Sequence, residues 1–362
     1  QPEREYNLSI VRAPVVDRED WRPWKIVVTD NADGTVLLKI GIENHMPAFG
    51  LGVTGLYAAC DAVTFTDYSL DRPVPENLAG NLRLPMVFSD GMVLQRGRRV
   101  PVWGRAAAGA SVRLTFAGKS YKTRADSAGD WKILLRPLAA DTGLVMRVVS
   151  GKDTATLRDV AVGEVWFASG QSNMEMPVSG FMFQPVEGAV DAIADAGMYP
   201  GIRMFTVPRV SSKTPLDDCD AAWQTATPAS VGQFSAVGYF FGRMLYKALG
   251  IPVGLITSNW GGSTIEAWMT VDAIDATPGI DHAVAKSGTY DNSIPQRLYN
   301  GMILPVCRYT AKGFIWYQGE SNRKNWYDYK ALQVSLVKLW RETWGDGKMP
   351  FYYTQLAPYR YE

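Results

Sequence analysis

The sequence predicts an α/β protein, with a parallel sheet covered on both faces and β-rich segments ahead of it. Three observations carry this. From about residue 161 onward, short apolar runs alternate with stretches of helical periodicity, the pattern of repeated strand and helix units. Between residues 82 and 160, short strand-like runs are separated by turn signals, the pattern of a small β-sandwich. The composition, 47% hydrophobic and 20% charged over 362 residues, is that of a globular chain with room for two or three domains.

Residues 1–70 read as strands. The runs 24–29 and 35–40 flank Asp30-Asn31-Ala32-Asp33-Gly34, a hairpin signal with glycine in the loop. Two further short strands are expected at 54–58 and 62–66. So few strands make a partial β-sandwich rather than a free-standing domain. Residues 71–81 hold two prolines and a glycine and read as a linker. In 82–160, strands are expected at 92–95, 100–104, 111–116, 130–135 and 145–149, with turns at Ala117-Gly118 and Ser127-Ala128-Gly129-Asp130.

The α/β part, 161–362, begins with a buried strand at 164–168. Residues 235–249 are helical, with Val237, Phe240, Phe241, Met244, Leu245 and Leu249 on one broad face. Gly250 stops that helix and Pro252 follows. Buried strands are expected at 253–257, 313–317 and 351–356. A long helix is expected over 326–344, where Tyr329, Leu332, Leu336, Leu339 and Trp340 recur at helical spacing.

Several function classes are excluded. A net charge of +1, with no basic or acidic block, gives nucleic acid or an anionic membrane surface nothing to bind. No run is long enough for a transmembrane helix and no signal peptide is evident. The chain opens on Gln1 rather than Met, which points to a trimmed N-terminus. Cys60, Cys219 and Cys307 are widely spaced and compose no metal motif. Twelve Trp and seventeen Tyr are many, and such rings suit sugar faces, although most are expected to fill cores.

Ligands of parallel sheets bind beyond the carboxyl ends of the strands. The residues just past each strand are therefore the informative ones. They are Gly170-Gln171-Ser172-Asn173-Met174-Glu175-Met176, Asn259-Trp260-Gly261-Gly262-Ser263-Thr264-Ile265-Glu266-Ala267-Trp268 and Gln318-Gly319-Glu320-Ser321-Asn322. A nucleophilic hydroxyl must stand free at a turn, and Gly170 permits one. A serine at a helix start has unpaired backbone N–H groups beside it, which can hold an oxyanion. Gly262 offers another N–H with no side chain in the way, and Gln318 an amide. Taken singly, the first motif is equally a helix N-cap, the second a turn and the third a capped loop. Together, at three strand ends, they are equipment for acyl transfer.

The strings EVWFASGQSNMEMPV, FSAVGYFFGR, PVGLITSNWGGSTIEAWM, YNGMILP and KGFIWYQGESN resemble the sialate O-acetylesterase family within the SGNH hydrolases. RLPMVFSDGMVLQR and VPVWG are similar to that family's N-terminal module, so the resemblance covers residues 82–358. It implies a flavodoxin-like three-layer α/β/α hydrolase that removes O-acetyl groups from sugars without a cofactor, in a secreted or periplasmic setting. Ser172 matches the nucleophile, Gly262 the oxyanion glycine and Gln318 a further oxyanion donor. Glu320 and Asn173 match structural or substrate-contacting positions. Acetylated sialic acid and acetylated xylan are both implied substrates. The order GVTGLYA to AVTFTDYSL resembles the closing strands of a concanavalin-like sandwich, which would place its opening strands upstream of Gln1.

The family keeps its base in a late Asp-x-x-His-Pro segment, and this sequence reaches Glu362 without one. Its two histidines are His45, in the N-terminal strands, and His282, ahead of the third motif. Three readings stay open. The catalytic Asp and His lie on a segment outside this one, such as a second polypeptide; His282 replaces the base; or the cleft is a non-catalytic glycan-binding module. The first is preferred, because both ends read as falling in mid-domain.

Overall fold

The computed structural model describes residues 6–12, 24–30, 36–42, 78–79 and 81–358. The chain divides into two compact units, Gln1–Val63 and Thr64–Glu362. In the first, β1 (Tyr6–Arg12), β2 (Trp24–Asp30) and β3 (Val36–Ile42) form one antiparallel sheet in that order. β2 and β3 are the strands of the expected hairpin. The strands expected at 54–58 and 62–66, and His45, lie outside the described residues.

The second unit opens with β4 (Leu78–Ala79), β5 (Leu82–Arg83), β6 (Val93–Gln95), β7 (Val100–Arg105), β8 (Ser111–Phe116), β9 (Lys119–Arg124), β10 (Asp130–Leu135), β11 (Asp141–Ser150) and β12 (Asp153–Gly170). One antiparallel sheet has the order β10-β7-β5-β4, and β4 falls inside the stretch read as a linker. A second antiparallel run has the order β12-β11-β8-β9. Buried and exposed residues alternate along β8 and β10, as they should on strands with one wet face. Val102, Leu114, Ile133 and Val148, drawn from both sheets, lie in one buried cluster.

β12 links this region to the parallel sheet. Its amino-terminal half pairs antiparallel with β11, and its carboxyl-terminal half, from Glu164, pairs in parallel with strands further along the chain. After it come α1 (Ser172–Glu175), α2 (Ala189–Ala194), β13 (Ile202–Thr206), β14 (Gln224–Thr225), α3 (Pro228–Val231), α4 (Ala236–Leu249), β15 (Val253–Asn259), α5 (Val271–Asp275), α6 (His282–Ala285), β16 (Gly313–Tyr317), α7 (Tyr329–Thr343) and β17 (Phe351–Tyr353). The parallel order is β13-β15-β12-β16-β17, with β14 antiparallel on the outer edge of β13.

Both faces of β12, β15 and β16 are buried, which explains their unbroken apolar runs, while β17 at the edge leaves Tyr352 and Tyr353 exposed. Trp166, Ala168, Leu255 and Ile315 pack in one cluster with Ala236 and Tyr239 of α4. Their alternates Phe167, Ile256, Phe314 and Trp316 pack with Leu332, Leu336 and Trp340 of α7. The rings on that side interlock: Phe314 lies 5.0 Å from Trp344, 5.4 Å from Trp340 and 5.5 Å from Phe351, centroid to centroid. Each fully buried apolar side chain contributes about 1.5–3 kcal/mol, so these two layers fix the strand ends on which the loops sit. Among the described residues, no helix is long and apolar enough to cross a membrane.

Candidate active site

The three strands that precede the polar loops end level with one another. Gly170 at the end of β12 is in register with Asn259 of β15 on one side and with Tyr317 of β16 on the other. The chain builds outward from β12 in both directions, so β12 stands at the topological switch point where α/β sheets open a crevice. Two backbone bonds tie the loops together: Trp260 N–H donates to the Gly170 carbonyl at 3.1 Å, and Gln171 N–H to the Tyr317 carbonyl at 3.0 Å. Gly170 has φ +150°, and a Cβ there would overlap the Tyr317 carbonyl oxygen. The close approach of the first and third loops therefore demands glycine.

Ser172 is the first residue of α1 and is half-buried. Its Cβ lies 3.6 Å from where a Cβ on Gly261 would stand, which puts the first two loops in contact. Among the described residues its hydroxyl has no hydrogen-bond partner. The Ser172 N–H belongs to the open first turn of α1, and the N–H of exposed Gly262 (φ +73°) is likewise unused among the described residues. Glu175, the last residue of α1, clamps the second loop: one carboxylate oxygen accepts the Gly261 N–H and the other a guanidinium N–H of Arg209 at 2.5 Å. From the far side, the Asn292 amide donates to the Gly261 carbonyl at 2.8 Å.

Gln318 corrects one expectation. It is buried, and its amide nitrogen donates towards Gln171 Oε1 at 3.1 Å, the Ser263 carbonyl at 3.0 Å and Asn322 Oδ1 at 2.8 Å. An amide has two hydrogens, and three protein acceptors already compete for them. In this arrangement no proton is left for an oxyanion, so Gln318 joins the three loops from beneath. Its own Oε1 and its main-chain carbonyl both accept from the Tyr329 hydroxyl at 2.7 Å. Burial, with Glu320 and Glu266 nearby, pushes that hydroxyl far above its ordinary pKa and keeps it a donor.

Asn173 and Glu320 do meet. Asn173 Nδ2 donates to Glu320 Oε1 at 2.5 Å, so the residue after Ser172 is bonded to the third loop. The other oxygen, Glu320 Oε2, is buried without a partner. Burial first, then the Glu320 charge, raises the neighbouring Tyr317 phenol.

Sequence reasoning missed the supports. Gln171, buried behind Ser172, accepts from the Gly319 and Ser321 N–H groups at 3.3 and 3.2 Å as well as from Gln318. Glu266 is buried, and its carboxylate accepts from Asn322 at 2.9 and 3.1 Å and from Asn325 at 2.9 Å. Each of these residues sits inside or beside a motif already singled out. The available signal was a polar residue within an otherwise apolar flank, as in Thr264-Ile265-Glu266-Ala267-Trp268.

His282 opens α6 behind its cap Asp281, whose N–H donates to Asp328 at 3.1 Å. Its Nδ1 is buried and unpartnered, and no hydrogen bond joins it to Ser172. Cys219 and Cys307 are free thiols that burial pushes up to about 12 and about 11, so they stay protonated and unreactive near neutrality. Among the described residues no cluster of His, Cys, Asp or Glu has the composition of a metal site.

Comparison with known proteins adds to this geometry. The family model described as carbohydrate esterase, sialic acid-specific acetylesterase, matches residues 162–362. The sialate O-acetylesterase of Mus musculus is 30% identical over 331 residues, covering 76% of this chain and 60% of its own length. That of Homo sapiens is 33% identical over 294 residues, covering 73% and 54%. The crystal structure of a carbohydrate acetylesterase from Xanthomonas citri superimposes with a TM-score of 0.68 at 36% identity, over 76% of this chain and 60% of that one. The chain thus spans a little over half the length of the curated relatives it matches.

Proposed function

This chain belongs to the sialic acid-specific acetylesterase family of carbohydrate esterases, and from that premise we propose that it is a carbohydrate O-acetylesterase working through an acetyl-serine on Ser172. The observation that carries the reading is the free Ser172 hydroxyl at the switch point, with the unused N–H groups of Ser172 and Gly262 at the same rim.

Ser172 Oγ attacks the acetyl carbonyl carbon, and the new C–O bond makes a tetrahedral oxyanion. The two backbone N–H groups receive that charge; one such donor is worth about 10²–10³ in kcat in a well-studied serine protease. A histidine outside the described residues takes the serine proton and passes it to the departing sugar oxygen as the ester bond breaks. Water then attacks the acetyl-serine, releasing acetate and restoring the hydroxyl. In place of an oxyanion role, Gln318 holds the loops at fixed spacing. Glu320 Oε2, buried and lacking a donor, is suited to receive a hydroxyl of the substrate.

Within the same reading, the parallel layers are an SGNH-type three-layer α/β/α domain, and the antiparallel sheets ahead of it a β-sandwich module. Acetylated sialic acid and acetylated xylan both remain candidate substrates, and a secreted or periplasmic setting accords with such substrates. Acetate release from p-nitrophenyl acetate by the full protein tests the proposal. Turnover that disappears in Ser172→Ala supports it; a wild-type protein that binds acetylated glycan without releasing acetate would make this a glycan-binding module.

A further inference from the structure

Between residues 81 and 358 the tryptophans are buried or half-buried with one exception, Trp326, which is 73% exposed. Tyr327 beside it is 55% exposed, and the two rings meet at 6.0 Å with an interplanar angle of 76°, forming a corner open to solvent. An indole left in water at the end of a motif loop calls for a reason, because tryptophan is on average strongly buried.

The backbone that carries this corner is held from both sides. Asn325, before it, is buried and bonds Glu266 at 2.9 Å. Asp328, after it, is also buried; its N–H donates to the Asn325 carbonyl at 3.0 Å and its carboxylate accepts from Asp281 N–H at 3.1 Å. The rings are therefore presented on a rigid base, with little ordering left to occur when a ligand arrives.

Position ties the corner to the candidate active site. Trp326 directly follows the tight turn Glu320–Asn325, whose first residue bonds Asn173, the neighbour of Ser172. The turn is kinked at Asn322, and Trp326 follows it, six residues on from the Glu320 contact with Asn173. A sugar on Trp326 would be a ring further along the same glycan than the one whose acetyl group meets Ser172.

We propose that Trp326, cornered by Tyr327, is a stacking platform for a pyranose ring of an oligosaccharide, and hence that the substrate is an acetylated glycan chain rather than a single acetylated sugar. This rests on the esterase reading of Ser172. The C–H face of a pyranose lies on the indole plane, while its hydroxyls stay at the edge, within reach of water and of the Tyr327 hydroxyl.

The test compares kcat/KM on acetylated xylotetraose with kcat/KM on p-nitrophenyl acetate in the full protein. Trp326→Ala is expected to lower the ratio of the two about tenfold, through KM on the oligosaccharide, and Trp326→Phe to restore most of it. An unchanged ratio in Trp326→Ala overturns the platform. If wild-type and Ser172→Ala proteins are equally inactive, the esterase reading has failed instead, and binding alone decides. Calorimetric titration of the Ser172→Ala protein with acetylated xylotetraose should then show a Kd about tenfold weaker when Trp326→Ala is added. Equal Kd values would again overturn the platform.

Discussion

At position 170 the backbone needs φ +150° and passes against the Tyr317 carbonyl, so the residue is fixed by geometry before any chemistry is considered. Gly170→Ala is expected to destabilise the protein by about 3 kcal/mol or more, read as a lower urea midpoint, because a side chain there must push apart the loops beside Ser172. Gln318 raises a subtler point. If it is a tie, Gln318→Ala orphans the Ser263 carbonyl, takes one bond each from Gln171 Oε1 and the Tyr329 hydroxyl, and costs about 2–4 kcal/mol of stability together with activity. If it were an oxyanion donor, kcat would collapse while the urea midpoint held. The three loops themselves were legible because a glycine and a polar residue at a strand end are local features of the sequence. The engagement of Gln318 was not, because its acceptors come from residues 171, 263 and 322, and only the folded chain shows which partners have already taken its protons.

Elements were legible to the extent that their pattern is local. α4 combines a cap, an apolar stripe and a stop: the Ser235 hydroxyl accepts from Gly238 N–H at 3.1 Å, and Gly250 closes the helix in the left-handed region at φ +63°. The same hydroxyl donates to the Met174 carbonyl at 2.6 Å, so the cap of α4 also holds α1. Ser235→Ala should cost about 1–2 kcal/mol in thermal unfolding and lower kcat as well, since α1 carries Ser172. By contrast, β9 has the sequence KSYKTR, with no apolar period, and owes its place to the β8 ladder on its only paired side. β13 and β14 were likewise absent from the pattern; five residues with Arg203 in second place do not announce a strand. α7 begins at Tyr329, later than its periodicity suggests, because Asn325 and Asp328 are drawn into buried polar contacts that shape the preceding turn.

Across the whole second unit, the turn between β6 and β7 is fastened to the α/β layers by ion pairs, Arg96 to Glu164 at 2.7 Å and Arg98 to Asp346 at 2.5 Å. Burial alone would raise the Asp346 carboxyl, but the Arg98 guanidinium and the Lys348 N–H outweigh it and hold the group below its usual value. A carboxyl lowered by folding adds stability above its unfolded pKa of about 3.9 and loses it as pH falls through the folded value. Wild-type and Asp346→Asn proteins should therefore differ slightly in Tm at pH 7 and converge in strong acid; a difference that persisted or grew there would contradict the pairing. The pair is partly exposed, so salt should shrink the difference further. β12 is what makes one unit of these layers, since a single strand belongs to both the antiparallel and the parallel pairing. Its length was hidden in the sequence, because residues 153–162 pair with β11 and read as part of the region ahead.

The central claim is that loops from β12, β15 and β16 meet so as to leave one serine hydroxyl free and poised for acyl attack. Incubating the full protein with a fluorophosphonate and mapping the adduct by peptide mass spectrometry tests it most directly. The account predicts a single adduct on Ser172, formed in step with loss of acetate release. An adduct on another serine, or activity lost with Ser172 unmodified, would contradict it.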